Sequence, residues 1–183
     1  MAWLSSECTG SIISKFHILT AAHCVYDAYG PVDEMNVTIG TNDITKQKYF
    51  YHSSKIWPHN STRDEKHDIA IIKLDKPINF NKLPNVGPIC LLKNFTEISE
   101  EIGFIAGYGR IEILSSNGYL EGDGEDIIKD TETTNFLHEN IIELQLNQRC
   151  SEVNESQTIL SSEDMPFEED RHICAGGATV ELL

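Results

Sequence analysis

Thr20-Ala21-Ala22-His23-Cys24 and, farther along, Asp68-Ile69-Ala70-Ile71-Ile72-Lys73-Leu74 are the two stretches on which the reading of this chain turns. The first sets a histidine behind two small residues and in front of a cysteine. The second sets a carboxylate at the head of an apolar strand. A carboxylate there loses hydration unless it is paired or hydrogen-bonded, and an imidazole N–H is a natural partner. Such a pair holds the ring in one tautomer and stabilises the imidazolium, which is what the aspartate does in a nucleophilic triad. Taken alone, Asp68 reads equally well as an exposed residue at a strand start, and a lone histidine is usually structural.

Cys24 follows Cys8 by 16 positions. A disulfide closing such a loop contributes about 3 kcal/mol and would hold His23 in place. The other use of Cys8, His17, His23 and Cys24 is a metal site, but their spacing follows no common zinc pattern. No metal and no cofactor is therefore expected.

Composition narrows the classes. With 29 acidic against 14 basic residues, the net charge of -15 argues against nucleic acid and anionic membrane surfaces as partners. No apolar run approaches the roughly 18–20 residues that span a bilayer. The cysteines are Cys8, Cys24, Cys90, Cys150 and Cys174, an odd count that leaves at least one thiol without an intrachain partner. Sequons stand at Asn36, Asn60, Asn94 and Asn154. Together with the cysteines they favour a secreted glycoprotein with disulfides. The start, Met1-Ala2-Trp3-Leu4-Ser5-Ser6-Glu7, has neither a positive n-region nor an apolar h-region, so no signal peptide is expected within this chain.

Short apolar runs between turn residues dominate, and helical periodicity is scarce. Ser11–Ser14 and Phe16–Leu19 read as strands around a turn, Met35–Gly40 alternates, and Lys55–Pro58 closes a short segment. Ile69–Ile72 is continuously apolar, which predicts burial on both faces. Ile102–Gly109 is strand-like, and Asn140–Leu146 alternates outward polar with inward apolar positions. The pattern predicts an all-β barrel or sandwich. A short helical turn is expected at Ala21–Cys24. The acidic stretch Glu112–Thr134 reads as a solvated loop, because its oxygen spacing does not match an EF-hand.

The Cys8–Ser14 segment, Thr20–Cys24, Asp68–Leu74, Pro88-Ile89-Cys90-Leu91, Gly107-Tyr108-Gly109-Arg110 and Ile173-Cys174-Ala175-Gly176-Gly177 resemble, in order, the trypsin/chymotrypsin-like serine protease family. The resemblance implies two antiparallel β-barrels, the second incomplete: about 1–95 for the first and about 100–183 for the second. It implies His23 as general base, Asp68 as the carboxylate that orients it, and disulfides Cys8–Cys24 and Cys150–Cys174. Cys90 sits where many members bridge to a propeptide cysteine, so here it is expected to be free or to pair between chains. Near Gly103 the chain lacks the cysteine that many members carry.

The family's nucleophile lies in a Gly-Asp-Ser-Gly-Gly segment, and none occurs among these residues. The oxyanion-hole amides belong to that same segment, and losing one such donor alone costs about 2.7–4 kcal/mol. The family's Ile-Val-Gly-Gly activation start is missing too. The expectation is a truncated serine endopeptidase domain, inactive as given, whose full-length parent cleaves polypeptides outside the cell. The alternative is a non-catalytic homologue acting as an extracellular binding or regulatory module.

Overall fold

The computed structural model describes residues 1–59, 67–91, 102–113, 130–145 and 173–175. Six short strands close into an antiparallel barrel: β1 (Ala2–Leu4), β2 (Thr9–Ile12), β3 (His17–Thr20), β6 (Asn36–Ile39), β7 (Tyr49–Pro58) and β8 (Ala70–Leu74). They are joined in the order β1-β2-β3-β8-β7-β6, with β6 returning to β1. Closure matters physically because it leaves no unpaired edge. A small ribbon, β4 (Tyr26–Asp27) with β5 (Gly30–Pro31), leads from the His23 segment back to the barrel.

The barrel's inside follows from side-chain alternation. Leu4, Ile12, Ile18, Val37, Ile39, Ile72 and Leu74 all point inward and are buried. At roughly 1.5–3 kcal/mol for each fully buried aliphatic side chain, these residues are the main source of the barrel's stability. Gly10 is needed where β2 crosses β3. A Cβ there would lie 2.4 Å from Ile18 Cγ2 and 3.2 Å from the Leu19 carbonyl oxygen.

Three expectations are corrected. The run at Ile69–Ile72 is not buried on both faces: Ile72 and Ala70 are inside, Ile71 is half-buried and Ile69 is 46% exposed. A barrel filled by its own side chains has one dry face, so continuous hydrophobicity did not report double burial. The short Lys55–Pro58 segment is the end of the ten-residue β7, which pairs with β6 through Tyr49–His52 and with β8 through Ser53–Pro58. A register shift between Ser53 and Lys55 marks the change of partner and hides the strand's alternation. Within Glu112–Thr134, β10 (Arg110–Ile113) pairs with β11 (Asp130–Thr133). The intervening residues lie outside the described ones.

Two compact units emerge: Met1–Leu91 with Gly107–His138, and Leu92–Ala106 with Glu139–Leu183. The first holds the barrel. Tyr108 belongs to it and is buried; its N–H donates to Thr9 Oγ1 at 2.8 Å and its hydroxyl donates to the Thr41 carbonyl. The second contains the pairing of β9 (Ile102–Gly107) with β12 (His138–Glu143) and a bridge between Leu144 and Ala175. Along Asn140–Leu146 the expected alternation holds in part: Ile142 and Leu144 are half-buried on either side of the exposed Glu143, while Ile141 is 40% exposed and Phe104 on β9 is 78% exposed. The described residues are thus all-β, with no α-helix: one closed six-stranded barrel and further strand pairs, which fits a trypsin-like arrangement with a partial second barrel.

Candidate active site

His23 opens a single 3-10 turn, His23–Val25, directly after β3. Ala22 and Val25 on either side are fully buried, so the turn is pinned from below while its histidine faces outward. Thr20 fixes the approach. Its hydroxyl is buried and donates to the Thr9 carbonyl at 3.0 Å. Thr9 also receives the Tyr108 N–H on its own hydroxyl, which ties the Gly107-Tyr108-Gly109 segment to the strand beside the histidine. The Cys8–Cys24 disulfide closes the same corner.

Asp68 sits at the centre of a tight three-residue turn, closed by the Ile69 N–H donating to the His67 carbonyl at 2.8 Å. The His59 N–H donates to the Ile69 carbonyl at 2.9 Å, anchoring that turn to the end of β7. The rings of His59 and His67 stack with centroids 4.5 Å apart on the flank of Asp68. These supports bring the carboxylate from a position 45 residues away onto the histidine.

The contact has two points. Asp68 Oδ2 lies 2.6 Å from His23 Nδ1, and Asp68 Oδ1 accepts the His23 backbone N–H at 2.8 Å. One carboxylate therefore fixes both the position of the residue and the plane of its ring. Partial burial pushes the Asp68 carboxyl up, but the hydrogen bonds from the His23 amide and ring, the His23 charge and the Ala22 amide together outweigh it. The carboxyl lies below its ordinary value and is ionised at neutral pH. With Nδ1 held by Asp68, Nε2 is the ring atom left to exchange a proton. It lies 3.4 Å from the Cys24 sulfur, a weak acceptor. The His23 side chain is 70% exposed, so Nε2 chemistry is accessible to an incoming group.

Cys8, His23 and Cys24 bring their ligand atoms within 4.8 Å of one another. Both sulfurs are spent in the disulfide, and a metal would need them as thiolates. His17, the fourth residue weighed for a metal, instead bonds Ser14 Oγ through Nδ1 at 2.9 Å and lies against Trp57.

Cys174 is disulfide-bonded, and its expected partner Cys150 lies outside the described residues. Cys90 is free and exposed. Of the sequon asparagines, Asn36 lies exposed on β6. Asn60, Asn94 and Asn154 lie outside the described residues. Thr9, Thr20 and His59 were not found from sequence. Their contributions are hydrogen bonds to main-chain atoms or from main-chain N–H groups, which leave no spacing signal.

A closed antiparallel barrel that presents a histidine gripped by an aspartate is the architecture of a trypsin-like hydrolase's first half. In agreement, the model of the Trypsin family matches residues 2–179. The chain belongs to the trypsin/chymotrypsin-like serine protease family.

Proposed function

We propose that this chain supplies the proton-handling part of a secreted serine endopeptidase, with His23 as general base and Asp68 as its orienting carboxylate, and that the 183-residue polypeptide alone does not hydrolyse amides. The reading rests on the two-point grip of Asp68 on His23, which leaves Nε2 as the proton acceptor. In such a site Nε2 takes the proton of a serine hydroxyl as it attacks the scissile carbonyl and returns it to the leaving amine. These residues contain no Gly-Asp-Ser-Gly-Gly, so they supply neither that hydroxyl nor its oxyanion donors.

A fluorophosphonate probe and a fluorogenic peptide amide test this directly. The chain alone should neither take the label nor cleave the amide. Given the family's Ile-Val-Gly-Gly start and extended after Gly177 by a family segment carrying Gly-Asp-Ser-Gly-Gly, it should take the label, and His23→Ala should abolish labelling. Hydrolysis by the chain alone that depends on His23 overturns the proposal. So does a folded extended chain that resists the probe.

Extracellular residence is part of the same reading, supported by the Cys8–Cys24 disulfide and by the exposure of Asn36. Asn36, Asn60, Asn94 and Asn154 are proposed to carry glycans, Cys150 to bridge Cys174, and the exposed thiol of Cys90 to pair with a cysteine of another chain. Thr38 of the first sequon is buried, and its hydroxyl donates to Gln47 Oε1 at 3.3 Å. The glycan must then be attached before β6 enters the barrel. Expressed in secreting cells, Thr38→Ala should lose one glycan's mass while Thr38→Ser keeps it; equal masses for wild type and Thr38→Ala would exclude a glycan on Asn36.

A further inference from the structure

The Cys8–Cys24 disulfide lies against the acid–base pair itself. Cys24 Sγ is 3.4 Å from His23 Nε2, while Asp68 holds the other ring nitrogen. A disulfide sulfur has no proton to give, so this contact is a hydrogen bond only when Nε2 carries one. A proton donor therefore stands ready beside one of the two sulfurs.

The two ends of the bond are unlike. Cys24 is buried, with 6% of its surface exposed, within the His23–Val25 turn. Cys8 is half-buried and follows the exposed Ser5-Ser6-Glu7 in the turn between β1 and β2. A thiolate arriving from solvent reaches the Cys8 sulfur, and Cys24 is then the leaving group. Exchange is faster when the departing sulfur is better stabilised as thiolate, and an imidazolium beside a cysteine stabilises it. Asp68, on Nδ1 at 2.6 Å, supplies the negative charge that favours the imidazolium.

We propose that Cys8–Cys24 is a site of reversible S-thiolation by low-molecular-weight thiols, in which Cys8 is attacked, Cys24 leaves and His23 stabilises the departing sulfur. The thiolate R–S⁻ forms an R–S–Sγ bond to Cys8 as the Cys8–Cys24 bond breaks. The electron pair passes to Cys24 Sγ, which rests as thiolate against the protonated Nε2. One disulfide is exchanged for another, so no oxidant is consumed. Reversal needs none either: the Cys24 thiolate attacks Cys8 and expels R–S⁻. In the thiolated state Nε2 already holds its proton and accepts no second one. That consequence rests on the general-base reading above; the exchange itself rests only on the placement of the three side chains.

The test uses the complete chain, with the Cys90 thiol capped by iodoacetamide, treated with excess glutathione, quenched with N-ethylmaleimide and mapped by mass spectrometry. The first product should carry glutathione on Cys8 and maleimide on Cys24. Its rate should rise in proportion to glutathione and fall about tenfold or more in His23→Gln. At pH 8, where an ordinary imidazole is neutral, nitrogen NMR of the thiolated chain should show both His23 ring nitrogens protonated. Glutathione on Cys24, or an unchanged rate in His23→Gln, overturns the proposal. So does a rate that climbs in urea below the unfolding transition, because exchange would then follow opening of the barrel. A neutral His23 ring in the thiolated chain refutes the ion pair and the silencing of Nε2, whereas the general-base reading stands or falls separately on the fluorophosphonate label.

Discussion

Asp68→Asn isolates what the carboxylate contributes. In the wild type, Oδ1 accepts the His23 N–H at 2.8 Å and Oδ2 faces Nδ1 at 2.6 Å. Asparagine keeps one acceptor oxygen and turns an NH2 toward the other position. One charge-assisted bond is then lost, and the ring must adopt its other tautomer to avoid meeting donor with donor. A hydrogen bond to a charged group contributes about 1.5–3 kcal/mol when shielded. The Asp68 side chain is 40% exposed, and solvent brings the value toward that of a surface pair, so the expected loss is about 1 kcal/mol. For a chain of this size that is a fall of about 2–4 °C in Tm. The pH dependence supplies the check. The folded carboxyl lies below its ordinary 3.8, so its contribution is fully present above that value and is lost as pH falls through the folded one. The difference in unfolding free energy between wild type and variant should hold from pH 7 to about pH 5 and fade toward pH 2. Urea titrations followed by circular dichroism at both ends measure it, and other carboxylates cancel because both proteins carry them. A difference of the same size at pH 7 and pH 2 would show that lost packing, not the charge, is responsible. No difference at either pH would mean that the grip on His23 is not formed in solution.

Two further outcomes follow from the barrel. Replacing Cys8 and Cys24 together by serine reopens a 16-residue loop and should cost about 3 kcal/mol, read as an equal drop in the unfolding free energy without loss of barrel circular dichroism; an unchanged midpoint would refute the stapling role. Gly10→Ala forces a methyl to within 2.4 Å of Ile18 Cγ2 and should destabilise by about 1–3 kcal/mol, whereas a neutral result in a thermal melt would mean that β2 and β3 are farther apart than described.

What could be read from the sequence was what depends on local pattern. Thr20–Cys24 and Asp68–Leu74 announced a buried corner and a strand, and their meeting was inferable because an aspartate at a strand head needs a donor. The hairpin of β2 and β3 followed from two apolar runs around Ser14-Lys15-Phe16. β7 was read short because the strand changes partner midway, so neither half keeps one alternation, and its outward Phe50 and Trp57 do not mark a face. β8 was read as doubly buried because Ile69 and Ile71 look the same as Ile72 on paper; only barrel closure decides which side is dry.

The barrel is complete by Leu74, and both His23 and Asp68 lie within that span. The contact between His23 and Asp68 therefore needs no strand that follows β8. The pairings that close the barrel, β1 with β6 and β3 with β8, are distant in sequence, so closure is slow relative to helix or hairpin formation. The time spent waiting for β8 is the interval in which Thr38, buried in the finished barrel, still meets solvent.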